Sequence, residues 1–192
     1  NNYRNKYPIA RLAREFYTGD PASPPPELPA MPSISIKTPL CHEYEVQNFD
    51  KLIRRILKTA DRDPSKLIGI LTFKNQDRVR YFDALQSCDV PLDNPNPIIN
   101  TSSSNGKNKV SFDQGGVLVI NAQNCKGLEF DTVFIADVNS YICNENNKDN
   151  VMRLFYVMVA RAIDRVILLK KEGQHCPVDS ILPVDEAILE RS

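Results

Sequence analysis

The stretch VINAQNCKGLEFDTVFI, residues 119–135, decides how this chain is read. It opens on an apolar run, breaks into the polar residues Asn121, Gln123 and Asn124, passes through Lys126, Gly127 and Glu129, and turns apolar again at Thr132. Two buried strands joined by a short polar loop fit that pattern. In an open parallel sheet ligands lie beyond the carboxyl ends of the strands, and the loop is expected there. Gly127 would let the backbone approach a phosphate, Lys126 offers a compact cation, and the carboxylate of Glu129 can accept sugar hydroxyls. A tight turn with a surface lysine and glutamate would use the same residues.

Working outward, LIGILTF at residues 67–73 is a continuous apolar run of the kind found in strands covered on both faces. Val79, Phe82 and Leu85 follow at helical spacing behind a capping Asn75. Residues 44–60 place Val46, Phe49, Ile53, Ile56, Leu57 and Ala60 on one face, which predicts an amphipathic helix. Residues 4–17 predict another that ends at Gly19, and residues 34–37 a short extended piece. Further strands are expected at 117–120, 132–136 and 165–169, with a helix between the last two that carries Val151, Leu154, Phe155, Met158, Val159 and Ala162. Strands alternating with helices give an α/β fold with a mainly parallel sheet flanked by helices. One domain over residues 1–192 is the expectation, with PASPPPELPAMP at 21–32 as an extended connector inside it.

Composition narrows the function. The 192 residues hold 24 Lys plus Arg against 24 Asp plus Glu, so a contact with nucleic acid must be local. Locally the balance is uneven, because residues 51–80 carry nine Lys or Arg and three Asp. A solvated helix face or a phosphate-facing surface would both read this way. No apolar run approaches the ~18 residues that cross a bilayer, which excludes membrane insertion. Five scattered cysteines without CxxC spacing suggest neither a disulfide framework nor a metal site and fit a reducing, cytoplasmic setting. The sequence starts at Asn1, inside what reads as structured sequence, which suggests a piece of a longer protein.

Two further segments stand out. RLFYVMVARAID at residues 153–164 is an apolar helix that carries Arg153, Tyr156 and Arg161 and leads into a strand, so Arg161 is expected to be held rigidly. It could be salt-bridged or project to an anion. NYRN at residues 2–5 sets an aromatic and an arginine before a helix. Taken in order, NYRN, NAQNCKGLEF at 121–130 and RLFYVMVARA at 153–162 resemble motifs IV, V and VI of the UvrD/Rep-like superfamily 1 DNA helicases, and IGILTFKNQDRVRYFDAL at 68–85 is similar to a further family segment.

The resemblance implies the second, C-terminal RecA-like domain of an ATP-dependent motor that acts on single-stranded DNA. It is a P-loop-NTPase-type fold without a Walker A loop of its own, and no G-x-x-x-x-G-K-[ST] occurs here. ATP and Mg²⁺ would lie between this domain and an N-terminal RecA-like domain outside the given sequence, with neither expected on this piece alone and no metal ligands in it. By resemblance, Tyr3 stacks near the adenine, Arg4 and Arg161 reach the γ-phosphate, and Gly127 and Glu129 flank the ribose or triphosphate. Asn121, Gln123 and Lys126 meet the strand and couple it to the nucleotide. Departures are Asn121 for Thr, Gln123 for His and Ala160 for Thr, and the 85–117 stretch is too short for the large helical insertion of many members. The other reading is a degenerate RecA-like domain kept as a protein or nucleic-acid binding module, and a free-standing mononucleotide enzyme is weaker because no Gly-rich loop opens a βαβ unit.

Overall fold

Six consecutive buried residues, LIGILT, make β2 (Leu67–Thr72) a strand covered on both faces, as an interior position in a parallel sheet requires. In this computed structural model the described residues are 5–19, 25, 27–31, 41–94, 97–102 and 115–192. Around β2 stand β1 (Cys41–Val46), β3 (Ile99–Ser102), β4 (Gly116–Asn121), β5 (Phe130–Ile135), β6 (Ala162–Lys171) and the two-residue β7 (Glu190–Arg191). Their order across the sheet is β3-β4-β2-β5-β6-β1-β7, and every pairing is parallel.

Alternation along the strands sends side chains to two separate cores. Leu71, Ile120, Val133, Ile135, Val166 and Leu168 meet α1 (Tyr7–Glu15) and α4 (Lys148–Val159) through Ile9, Leu12, Phe155 and Met158. On the other face Ile70, Val119, Phe134, Ile167 and Leu169 meet α2 (Phe49–Arg62) and α3 (Asn75–Ser87) through Leu52, Ile56, Tyr81 and Leu85. The expected α/β architecture, a mainly parallel sheet flanked by helices, is present.

The largest departure from expectation falls on residues 44–60. The helix starts only at Phe49, because Asn48 keeps an extended backbone and its side chain accepts the Lys51 N–H at 3.0 Å. Residues 41–46 are drawn into register with β6, so Val46 closes a strand where helical periodicity placed it on a helix. α1 opens at Tyr7 with Pro8 in its first turn, where a missing N–H costs nothing. Val79, expected on the buried face of α3, is exposed, because that helix turns Tyr81 and Leu85 inward. The Pro-rich 21–32 stretch lies largely outside the described residues and the 34–37 piece wholly so; Pro25 and residues 27–31 carry neither helix nor strand.

One carboxylate ties three parts of the chain together. Asp164 on β6 pairs with Lys6, ahead of α1, at 2.8 Å and with Lys66, ahead of β2, at 2.6 Å. Burial works against its charge, but the hydrogen bonds from the two lysines prevail and hold its pKa below the usual value. A depressed carboxylate stabilises the fold above its unfolded pKa, about 4, and loses that contribution as pH falls through the lower folded value. Asp164→Asn is therefore expected to lower unfolding free energy at pH 7 by about 0.5–1 kcal/mol, modest because both lysines stay half exposed. Denaturant titrations at pH 7 and near pH 3 check it, and the gap between variant and parent should close at the acid end.

Candidate functional site

β4 and β5 run in the same direction with β2 between them, so the eight residues joining Asn121 to Phe130 must return the full length of a strand. This corrects the expected placement. Only the start of the loop lies beyond the carboxyl edge of the sheet, and Lys126–Glu129 run down to the amino edge. The path is a 3-10 turn at Ala122–Asn124, then a turn closed by the Leu128 N–H on the Cys125 carbonyl at 3.1 Å. Gly127 sits third in that turn at φ 85°, the left-handed position that a type II turn reserves for glycine. A Cβ there would have no neighbour within 4 Å, so turn geometry rather than crowding requires the glycine.

The loop has a period of three. Ala122 and Cys125 are buried and Leu128 half-buried against the α1/α4 core, while Gln123, Lys126 and Glu129 all face out. Apolar pins thus fix the outward residues on a line that runs from one edge of the sheet to the other. Burial pushes the Cys125 thiol up to about 11, against the pull of the nearby Arg161 charge.

At the amino edge the loop meets the end of α4. The Phe130 N–H donates to the Arg161 carbonyl at 2.9 Å, and the Arg161 guanidinium donates to the carbonyls of Val157 at 3.1 Å and Leu128 at 3.4 Å. Asn5, the last residue of NYRN, donates its side-chain amide to the carbonyls of Ala160 and Ala162, one on each side of Arg161. Tyr3 and Arg4 lie outside the described residues. Arg161, Lys126, Arg153 and Tyr156 line a cavity of about 330 Å³ closed on one side by Phe16 and Tyr17. Three cations face it and no carboxylate does. Among the described residues Arg161 has no acidic partner, so the salt-bridged alternative for it is not what these residues form. Burial raises the Tyr156 hydroxyl's pKa, which Arg161 partly offsets.

At the carboxyl edge Asn121 accepts a hydrogen bond from Thr72 at 3.1 Å, cross-linking β4 to β2, and Gln123 is exposed beside it. Sequence reasoning missed two groups here. Arg78 forks onto Asn75 at 2.8 and 3.0 Å and reaches Thr101 on β3 at 2.6 Å. Asp137 stands at φ 47° just past β5, 4% exposed, paired with Arg80 at 2.6 Å. Burial raises its pKa while Arg80 and Lys171 draw it back. The Asn75-x-x-Arg78 spacing at a helix start was the available signal for the first; nothing local marks the second. Four rings, Phe16, Phe155, Tyr141 and Phe73, then pack in series with centroids 5.4, 5.1 and 4.7 Å apart, from the Arg161 cavity to the end of β2. The structure therefore groups Lys126 with Arg161 and sets Asn121 and Gln123 at the opposite edge, with Glu129 exposed one residue before β5.

Residues 116–169, which run from β4 through the crossover loop and α4 into β6, match the family model of the UvrD-like helicase C-terminal domain. The chain resembles that domain. Its fold is shared with the C-terminal domain of a possible DNA helicase from Lactobacillus plantarum WCFS1, at TM-score 0.63 and 18% identity over 100% of this chain and 99% of that one. The α/β domain is thus RecA-like. Looser likenesses join 78% of the chain to 30% of PRRSV nsp10 (helicase), at TM-score 0.40 and 17% identity, and 74% to 51% of the C-terminal part of the Fun30 ATPase domain, at 0.41 and 11%. Neither is tight enough to establish a shared fold. No curated protein sequence matches the chain. Among the described residues no helix is long and apolar enough to cross a membrane.

The pinned loop can be checked by its thiols. Cys125 and Cys176 are buried, with both thiols pushed up to about 11 chiefly by burial, whereas Cys88 and Cys143 are half-exposed. With the thiolate as the reacting species, native protein at pH 8 should alkylate at Cys88 and Cys143 at least about tenfold faster than at Cys125 and Cys176. Peptide mass spectrometry over time reads the order, and early labelling at Cys125 would mean the loop is not held against the core.

Proposed function

We propose that this chain is the second RecA-like motor domain of an ATP-dependent DNA helicase or translocase, which completes an ATP site formed with an N-terminal RecA-like domain and holds single-stranded DNA at the other edge of its sheet. The observation that carries the reading is the cavity where Arg161, held by two backbone carbonyls, faces outward with Lys126 and Arg153 and no acid. Positive charge fixed in this way fits a phosphate chain and would be wasted on a neutral ligand. Bound ATP·Mg²⁺ would supply the phosphoryl group. Among the described residues no three His, Cys, Asp or Glu gather to hold a metal, so the Mg²⁺ ligands are assigned to the other domain.

The residues of this chain would then divide by edge. Arg161, with Arg4 as the resemblance pairs them, stabilises charge on the transferring group as the domains close. Tyr3 stacks on the adenine, Glu129 accepts from the ribose, and Gly127 sets the turn that leads the chain to Glu129. Lys126, which resemblance pairs with the strand, sits on the phosphate side and serves as the link. Asn121 and Gln123 face the strand at the carboxyl edge. Because the crossover loop is one pinned segment, domain closure over the nucleotide would shift both ends together.

The purified 192-residue chain is expected to give no DNA-stimulated ATP turnover, since half of the composite site lies elsewhere, and measurable turnover by it would overturn the two-domain reading. In the protein that contains both domains, Arg161→Ala should cut turnover per folded molecule by on the order of 10³-fold or more, far beyond what a small drop in melting temperature from its two lost backbone hydrogen bonds would cause, while single-strand affinity holds. Arg161→Lys should restore little, because a point charge does not reproduce the planar fork of donors. Turnover that stays normal per folded molecule would instead favour the binding-module reading.

A further inference from the structure

A dense cluster of cations lies on the other face of the sheet. α2 buries Leu52, Ile53, Ile56, Leu57 and Ala60, and at 100° per residue its opposite side collects Lys51, Arg54, Arg55, Lys58 and Arg62 within about 100° of arc. All five are exposed. β6 adds a sixth cation: Ile167 and Leu169 belong to the α2/α3 core, so the alternation puts Arg165 on that face too. The six side chains and Thr59 line a cavity of about 440 Å³ with no carboxylate in its wall.

Two features set this apart from a solvated helix face. Two acids near the end of α2 are engaged elsewhere, Asp61 accepting from the backbone N–H groups of Asp93 and Asn94 at 2.9 and 2.6 Å and Asp63 from Ser65 at 2.8 Å, while Asp50 at its start is exposed and forms no ion pair with the cluster among the described residues. Among the described residues none of Lys51, Arg54, Lys58, Arg62 or Arg165 forms an ion pair. Moreover, Arg165 is drawn half into the fold with its Nε buried and unpartnered among the described residues, where burial and the charges of Arg55 and Arg62 all weigh against its own. The fold tolerates like charges pressed together, which an anion in the cavity would relieve.

We propose that this cavity and the α2 face are a docking site for the phosphodiester backbone of nucleic acid, separate from the strand edge and on the opposite side of the sheet from the Arg161 cavity. The shape favours a linear polyanion over a single phosphate. Lys51 to Arg62 spans about 16 Å along the helix, the axial rise of about five nucleotides of one strand, with a cation at each turn. No ring stands in the cavity wall, so the contact reads backbone charge and not bases. The proposal goes beyond the ATP reading and does not depend on it.

The test uses the 192-residue chain and an arbitrary DNA duplex of about 20 base pairs, with binding followed by fluorescence anisotropy between about 50 and 200 mM salt. Replacing Lys51, Arg54, Lys58 and Arg62 together by Ser removes no described ion pair and should leave melting unchanged. Affinity at low salt should fall at least about tenfold, and the slope of log K against log salt should flatten by about three to four. Should the fourfold variant melt early, the single Arg54→Ser variant is expected to flatten the slope by about one. Unchanged affinity and slope overturn the proposal. So does a loss produced by Lys126→Ala instead, which would put all DNA contact on the other face and leave the motor reading standing. Displacement of the duplex by polyglutamate of equal charge at equal concentration would assign the cavity to an acidic protein segment and overturn it as well.

Discussion

Parallel strands cannot be joined at one edge, and the structure depends on how the chain meets that constraint between β4 and β5. Nine steps from Asn121 to Phe130 reach about 30 Å at full extension, while the return along a six-residue strand and across β2 needs about 22 Å. That leaves room for a 3-10 turn and one tight turn but not for a helix. A crossover so short cannot bulge far from the sheet, so its apolar residues are pressed into the α1/α4 core and its polar residues out. Both edges of the domain thereby acquire a common rigid element. The ring series from Phe16 to Phe73 makes a second connection between the same edges through the core below it.

Legibility in the sequence followed from how local each cause was. The interior strands were plain because a strand buried on both faces needs an unbroken apolar run, as in LIGILTF. The start of α2 was not, since periodicity continues through Val46 and only the Asn48 cap and pairing with β6 separate strand from helix. Edge strands β3 and β7 are short and half-exposed, and carry little pattern of their own. In the site, the three-residue period of AQNCKGLEF was present to be read, yet its direction across the sheet was not, because that depends on β2 standing between β4 and β5. Lys126 consequently lines the Arg161 cavity, an edge away from Asn121 and Gln123, with which motif resemblance grouped it. Asp137 left no trace, for its left-handed backbone and its Arg80 partner are set by the fold, 57 positions apart in sequence.

The phenylalanine that ends the motif explains a glycine far from it. Phe130 lays its ring over Gly69 of β2, where a Cβ would come within 2.7 Å of the ring. Gly69 sits on the same face as Leu67 and Leu71, so the gap in the LIGILT row is filled by a residue of β5. Anchoring Phe130 there fixes the amide that Arg161's carbonyl accepts, and with it the position of the arginine. Precision in the guanidinium's placement is thus inherited from core packing, where close contacts leave few alternatives.

Net charge near zero hides how the two signs are used. Several carboxylates are spent on ties within the fold: Asp164 to Lys6 and Lys66, Asp131 to the Leu67 N–H at 2.8 Å, Asp61 to the 93–94 backbone, Asp137 to Arg80, and Glu43 to Lys170 and Arg191. Each acid used for a backbone amide or a cross-strand tie is lost to the surface, and the basic side chains left over are concentrated on opposite sheet faces, around Arg161 and along α2. With a Debye length of about 8–10 Å near physiological salt, two such patches on opposite sides of a domain act as separate fields. A neutral chain can therefore present strongly electropositive sites without the indiscriminate attraction to polyanions of a basic protein, and the field an anion meets depends on which face it approaches.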